Sequence, residues 1–115
     1  MRLVKIGLAS INTTVGALTQ NVDRALAVAQ RMAQDQVTVG VFPEQVIGGY
    51  PPEDLIQWQG FVDHQWLELE RFAAATSRLP TAFVLGAAVV HQGMRFNCAA
   101  VVAGGRIWGD RKSVV

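Results

Sequence analysis

Residues 37–55 read VTVGVFPEQVIGGYPPEDL, and this stretch decides the fold. Val37 to Phe42 is short, rich in β-branched residues and apolar at odd and even positions alike, as in a strand covered on both faces. The run ends on Glu44 and then breaks into Gly48, Gly49, Tyr50, Pro51 and Pro52, residues that interrupt regular elements. A carboxylate at the tip of a buried strand is costly unless something opposite requires it. The carboxyl ends of strands are also where α/β sheets build their sites. The same acid would serve as a helix cap or a surface partner, so position alone leaves both readings open.

Working outward, Leu3 to Ser10 alternates like a strand, with Val4, Ile6 and Leu8 set against Leu3, Lys5 and Gly7. NTTVG (12–16) reads as a loop. NVDRALAVAQRMAQ (21–34) then gathers Val22, Ala25, Leu26, Ala29, Met32 and Ala33 on one helical face. The opening is therefore strand, helix, strand, which implies a parallel or mixed sheet. Past the glycine–proline loop, Glu53 and Asp54 sit where a first helical turn welcomes negative charge. From Phe61, the residues Val62, Trp66, Leu69, Phe72, Ala73 and Thr76 recur at helical spacing and end before Pro80. Ala82–Val90, a turn at HQGM (91–94), Arg95–Val102, a turn at AGG (103–105) and Arg106–Lys112 complete the pattern. The expected order is β-α-β-α-β-β-β, a layered α/β fold ending in an antiparallel meander. The tryptophans and phenylalanines all fall on faces that predict core.

Composition narrows the function. The chain has 115 residues, so it holds one domain at most. Ten basic residues against nine acidic ones leave a net charge of +1 with no basic cluster, which argues against nucleic acid or an anionic membrane surface as partner. The longest apolar run, Ala82–Val90, is about half the roughly 20 residues a membrane helix requires. One cysteine forbids an internal disulfide and fits a reducing compartment, so a cytoplasmic location is expected. The chain stops at Val115 inside a strand pattern, from which a piece of a longer polypeptide is expected.

Several residue types could carry chemistry. On the last strand, period-2 alternation puts Trp108, Asp110 and Lys112 on one face and Ile107, Gly109 and Arg111 on the other. A lysine beside a carboxylate can stabilise a developing oxyanion, although most strand-end lysines are solvated edge residues. Cys98 completes a tempting acyl-transfer set, but it lies mid-strand in FNCAAVV with no helix N-terminus or sharp turn to activate it. It reads as a buried structural thiol. GGRIWGDRKS imitates a phosphate loop, yet Asp110 and Arg111 separate Gly109 from Lys112 and no helix begins there. His64 and His91 have no ligand partners at useful spacing, so no metal site is expected.

Four stretches, KIGLASINTTVGALTQN (5–21), VFPE (41–44), GYPPEDL (49–55) and FNCAAVVAGGRIWGDRKS (96–113), together resemble the carbon–nitrogen hydrolase (nitrilase-type) superfamily. GYPPEDL resembles more narrowly the N-terminal glutaminase domain of glutamine-dependent NAD+ synthetases. The resemblance implies the N-terminal half of an α-β-β-α sandwich with a Glu-Lys-Cys triad. Residues 1–115 would then be a partial glutaminase domain that ends before the nucleophile. Glu44 would be the general base, Lys112 would stabilise the tetrahedral intermediate, and Tyr50 would line the substrate pocket. The family's cysteine follows the lysine by several tens of residues, and Cys98 stands where the family commonly has alanine. Gln45 stands where leucine is usual.

That resemblance implies a substrate, glutamine or another small amide, and no cofactor for this domain; ATP and Mg would belong to the synthetase domain of the parent enzyme. Two alternatives stand beside it: a stand-alone small-amide hydrolase of the same superfamily, and a non-catalytic fragment acting by association. Half a sandwich would leave Val37, Val39, Phe83 and Leu85, or their alternates, uncovered. A homo-oligomer or docking onto the missing half of the domain is therefore expected.

Overall fold

A computed structural model of the chain describes residues 3–114, with side chains for residues 3–109. The elements are β1 (Ile6–Leu8), α1 (Leu18–Gln34), β2 (Val39–Val41), a 3-10 turn (Glu53–Gln57), α2 (Gln59–Ala75), β3 (Ala82–His91), β4 (Met94–Ala103) and β5 (Arg106–Val114). The expected order holds. The five strands form one sheet in the order β1-β2-β3-β4-β5, parallel from β1 to β3 and antiparallel from β3 to β5. The parallel half is narrow, since β1 and β2 pair over only Ile6–Leu8 and Val39–Val41. This is shorter than the runs 3–10 and 37–42 expected from alternation.

The meander follows from its two turns. Gln92 and Gly93 have φ of 51° and 76°, and Gly104 and Gly105 have φ of 59° and 84°. Left-handed backbone at both central residues matches the twist of the flanking strands. Between Val101 and Val102 the β4–β5 ladder contains a bulge, so that Ile107 stands opposite Val102 and Gly109 opposite Val101. This corrects the expected alternation. Val101 and Val102 are neighbours on opposite faces, so Ile107 and Gly109 are also on opposite faces.

Both helices cover the same face of the sheet. Met32 of α1 reaches Gly7 and Gly40, where an added Cβ would lie 3.3 Å from its methyl and 2.5 Å from its sulfur. Phe72 of α2 meets Phe83 and Phe42 edge-on, with ring centroids 5.4 and 5.8 Å apart. Phe42 and Phe83 close the triangle at 6.1 Å. Of the side chains expected to be uncovered, Val39 is half-buried, and the exposed apolar residues of its face are instead Ile6 and Leu8 of β1, at 62% and 79%. Val37, Phe83 and Leu85 are buried.

Polar groups lock α1 to α2. Arg71 donates to Glu68 Oε2 at 2.7 Å, to Asp23 Oδ1 at 2.9 Å and to the Thr19 carbonyl at 3.0 Å. Partial burial pulls the Arg71 pKa down, but hydrogen bonds and charge from Glu68 and Asp23 outweigh it, and the net displacement is upward. A raised folded-state pKa gives stability present below the unfolded value and lost only above it. The guanidinium therefore holds the helices together through the ordinary pH range.

The tryptophans correct the sequence reading. Trp58, Trp66 and Trp108 are 66, 39 and 61% exposed. In α2 the inward position that Trp66 was expected to take falls to Gln65, whose Oε1 accepts the Ala88 N–H at 2.8 Å. A buried backbone donor beyond the end of β2, with no parallel strand to take it, outranks an indole. Trp108 instead donates from Nε1 to the Ala103 carbonyl at 2.8 Å and carries Arg106 over its ring at 4.4 Å.

Phe72→Ala should test the aromatic triangle. We expect a loss of about 3–5 kcal/mol, read from urea unfolding. A loss under about 1 kcal/mol would show that the triangle is not the centre of the core.

Candidate functional site

β2 ends at Val41, paired with Val84, while β3 runs on to His91. Beyond Val84, the edge of β3 facing β2 needs other partners. Phe42 N–H donates to the Val84 carbonyl at 2.8 Å, Ile47 N–H to the Gly86 carbonyl at 3.4 Å, and Gln65 takes the Ala88 N–H. The turn carrying Glu44 thus replaces a strand. It can do so only because residue 86 is glycine. A Cβ there would lie 2.4 Å from the Gln45 nitrogen and 2.9 Å from the Glu44 Cα, so backbone meets backbone with no side chain between.

Other contacts fix the same turn from α1. Asn21 is buried, and its Nδ2 donates to the Ile47 carbonyl at 2.9 Å and to the Thr14 carbonyl at 2.8 Å. Gly16 N–H donates to the Gly48 carbonyl at 3.0 Å. Gln45 has a φ of 55°, left-handed for a non-glycine, and its side chain is buried. Strain of this kind persists only where surroundings impose it, and it concentrates at sites.

Glu44 itself is exposed at the rim of a cleft of about 460 Å³ lined by Phe42, Pro43, Val84, Gly86, Asn97 and Cys98, among others. Its Oε1 accepts a hydrogen bond from Asn97 Nδ2. Asn97 Oδ1 in turn accepts from Gln45 Nε2 at 2.9 Å. A carboxylate at a strand's carboxyl end, held on one oxygen and open to a cleft, can accept or deliver a proton to a molecule bound there.

The sequence-predicted residues fare differently. Lys112 stands in the β5 ladder directly opposite Cys98; its side chain lies outside the described residues. Cys98 borders the cleft but is only 3% exposed, in a strand paired on both sides. Tyr50 is exposed, six residues on from Glu44, and is not among the residues lining the cleft. Asn97 and Gly86 were missed, and Gln45 was noted only as a departure from the usual leucine. Their signals were an asparagine inside an apolar strand and a glycine in the middle of AFVLGAAVV. Another groove, lined by Val62, Trp66, Leu67 and His91, lies over the first half of α2 and does not touch Glu44. Among the described residues no three of His, Cys, Asp or Glu come together to hold a metal ion. No helix there is long and apolar enough to cross a membrane.

The fold is that of the nitrilase-type amidases. An amidase from Nesterenkonia sp. superposes with a TM-score of 0.80 at 18% identity, covering 97% of this chain and 43% of the amidase. In sequence, the chain is homologous to glutamine-dependent NAD(+) synthetases. The Xanthomonas campestris enzyme of that name is 37% identical over 105 residues, which is 90% of this chain and 19% of the relative. The crystal structure of a glutamine-dependent NAD(+) synthetase from Cytophaga hutchinsonii gives a TM-score of 0.89 at 24% identity, covering 96% of this chain and 19% of that one. The chain thus spans about a fifth of the length of the curated relatives it matches. No family model matches it.

Gly86→Ala should be the more damaging of two alanine substitutions. It sets a methyl against backbone, whereas at Gly40 the methyl meets the turnable Met32 thioether first. We expect Gly86→Ala to cost about 1–3 kcal/mol in chemical denaturation, and Gly40→Ala less. Equal losses would mean that the turn shifts freely.

Proposed function

We propose that the chain supplies the acid–base part of a cysteine amidase site that takes ammonia from glutamine for NAD+ synthesis. Glu44 is the proton acceptor and Lys112 the cation for the oxyanion. The nucleophilic thiol comes from outside residues 1–115, and Tyr50, by the resemblance of GYPPEDL, would line the glutamine pocket although it stands outside the cleft that Glu44 rims. The observation that carries this reading is Glu44 itself: an exposed carboxylate, tethered by Asn97 at the mouth of a cleft, in a turn that the fold holds from three sides. Homology over 90% of the chain to enzymes named for glutamine dependence supports the substrate.

The reaction runs in two halves. The thiol sulfur attacks the amide carbon, a C–S bond forms, and Glu44 takes the S–H proton while Lys112 faces the oxyanion. Glu44 returns the proton to nitrogen, the C–N bond breaks and ammonia leaves. Water then attacks the thioester as Glu44 takes its proton; the C–S bond breaks, Glu44 hands that proton to the leaving sulfur, and glutamate is released with the thiol restored. A reducing cytoplasm suits such a thiol. ATP and Mg would act in a synthetase domain of a longer parent enzyme. Among the described residues no three of His, Cys, Asp or Glu gather into a metal-holding cluster.

A second reading keeps the chemistry and changes the amide. The fold neighbour named an amidase favours a stand-alone small-amide hydrolase. A third rests on the exposed Ile6 and Leu8, which suit a face covered by a second copy or by further polypeptide.

A chimera separates these readings. Residues 1–115 would replace the matching stretch of the Xanthomonas campestris relative, with glutamine-dependent and ammonia-dependent NAD+ formation both measured. Glu44→Gln and Lys112→Met should each lower the glutamine-dependent rate by at least about 10²-fold and spare the ammonia-dependent one. Cys98→Ala should change neither. The isolated 115-residue chain should release no ammonia from glutamine; release abolished by Cys98→Ala would overturn the assignment.

A further inference from the structure

We infer that Asn97 is the positioning residue for Glu44, a two-sided clamp joining β4 to the turn after β2. This rests on the reading of Glu44 as the proton acceptor. Asn97 sits in β4 opposite Ala88 of β3, with Cys98 following it opposite Ala87. Its amide has one acceptor oxygen and one donor nitrogen, and the two are used in opposite directions. The oxygen receives the Gln45 N–H and the nitrogen donates to Glu44 Oε1.

Gln45 and Glu44 are sequence neighbours, so Asn97 grips both side chains of one dipeptide. Gln45 is itself immobilised: it is buried, left-handed in backbone, and pressed against Gly86. The clamp therefore has a fixed jaw, Gln45, and a working jaw, Glu44. An exposed glutamate carries three freely turning side-chain torsions, and a general base must meet its proton within hydrogen-bond reach. Asn97 removes that freedom on one oxygen and leaves the other for the cleft.

Amide polarity is the essential property. Leucine at 97 would fill the space and hold neither jaw. Aspartate would keep an oxygen for Gln45 but set a carboxylate against Glu44. Two such carboxylates avoid each other at neutral pH and share a proton when one is supplied.

The test uses the 115-residue chain and reads the Glu44 side-chain rotamer from NMR three-bond couplings across χ1 and χ2. The wild-type chain should show one dominant rotamer. Asn97→Leu should give averaged couplings at every pH. Asn97→Asp should give averaged couplings at neutral pH and recover the single rotamer as the pH is lowered through the carboxyl range. A purely structural role for Asn97 would produce no such recovery. Glu44→Ala guards against variants that fail to fold, because Glu44 is exposed; it should move the Asn97 amide proton resonance upfield. Unchanged Glu44 couplings in both Asn97 variants, or an unmoved Asn97 amide in Glu44→Ala, would overturn the proposal.

In the chimera, Asn97→Leu should lower kcat by on the order of 10²-fold with KM nearly unchanged. If the couplings respond while Glu44→Gln leaves the chimera's glutamine-dependent rate intact, the clamp stands and the amidase reading falls.

Discussion

β3 is longer than the strand beside it, and much of the molecule answers that mismatch. Where β2 stops at Val41, the backbone of β3 continues with N–H and C=O groups that a buried edge must satisfy. Phe42 and Ile47 supply two of the bonds from the turn, and Gln65 supplies a third from α2. The turn is drawn onto the strand because of this debt of hydrogen bonds, and Gly86 allows it to come close enough. Glu44 is carried to the cleft as part of the same repair.

The elements were legible because their signals are local. Apolar spacing marks α1, β-branched runs mark β2 and β3, and Gly93, Gly104 and Gly105 mark the hairpins. Glu44 was legible for the same reason, as an acid ending an apolar run. Its support was not. Asn97 lies 53 residues from Glu44, and only the register of β3 on β4 brings them together. The α2 face was misread in its first half because spacing ranks Trp66 above Gln65. What decides between them is the Ala88 N–H on another element, which lies beyond the end of β2 and is taken by Gln65. A bulge near Trp108 likewise escapes a period-2 reading, since nothing in RIWGD announces the extra residue.

The homology adds chemistry that spacing could not. An acid and a lysine 68 positions apart in the chain mean little by themselves. The proposal that they act together draws on relatives named for the use of glutamine, and this chain matches about a fifth of those relatives' length. The contrast with Cys98 is instructive. It borders the cleft and faces Lys112 across the ladder, yet it is 3% exposed between two paired strands. Proximity without access does not make a nucleophile.

One consequence concerns breathing motions. Because the grip on Glu44 comes from β4 and not from its own turn, the carboxylate is ordered only while the β3–β4 hairpin remains zipped. A transient fraying from the Gln92–Gly93 tip need travel only a few rungs before Asn97 departs. The lifetime of the Asn97–Glu44 contact is then set by the opening equilibrium of a hairpin whose apex lies far along the chain from residue 44.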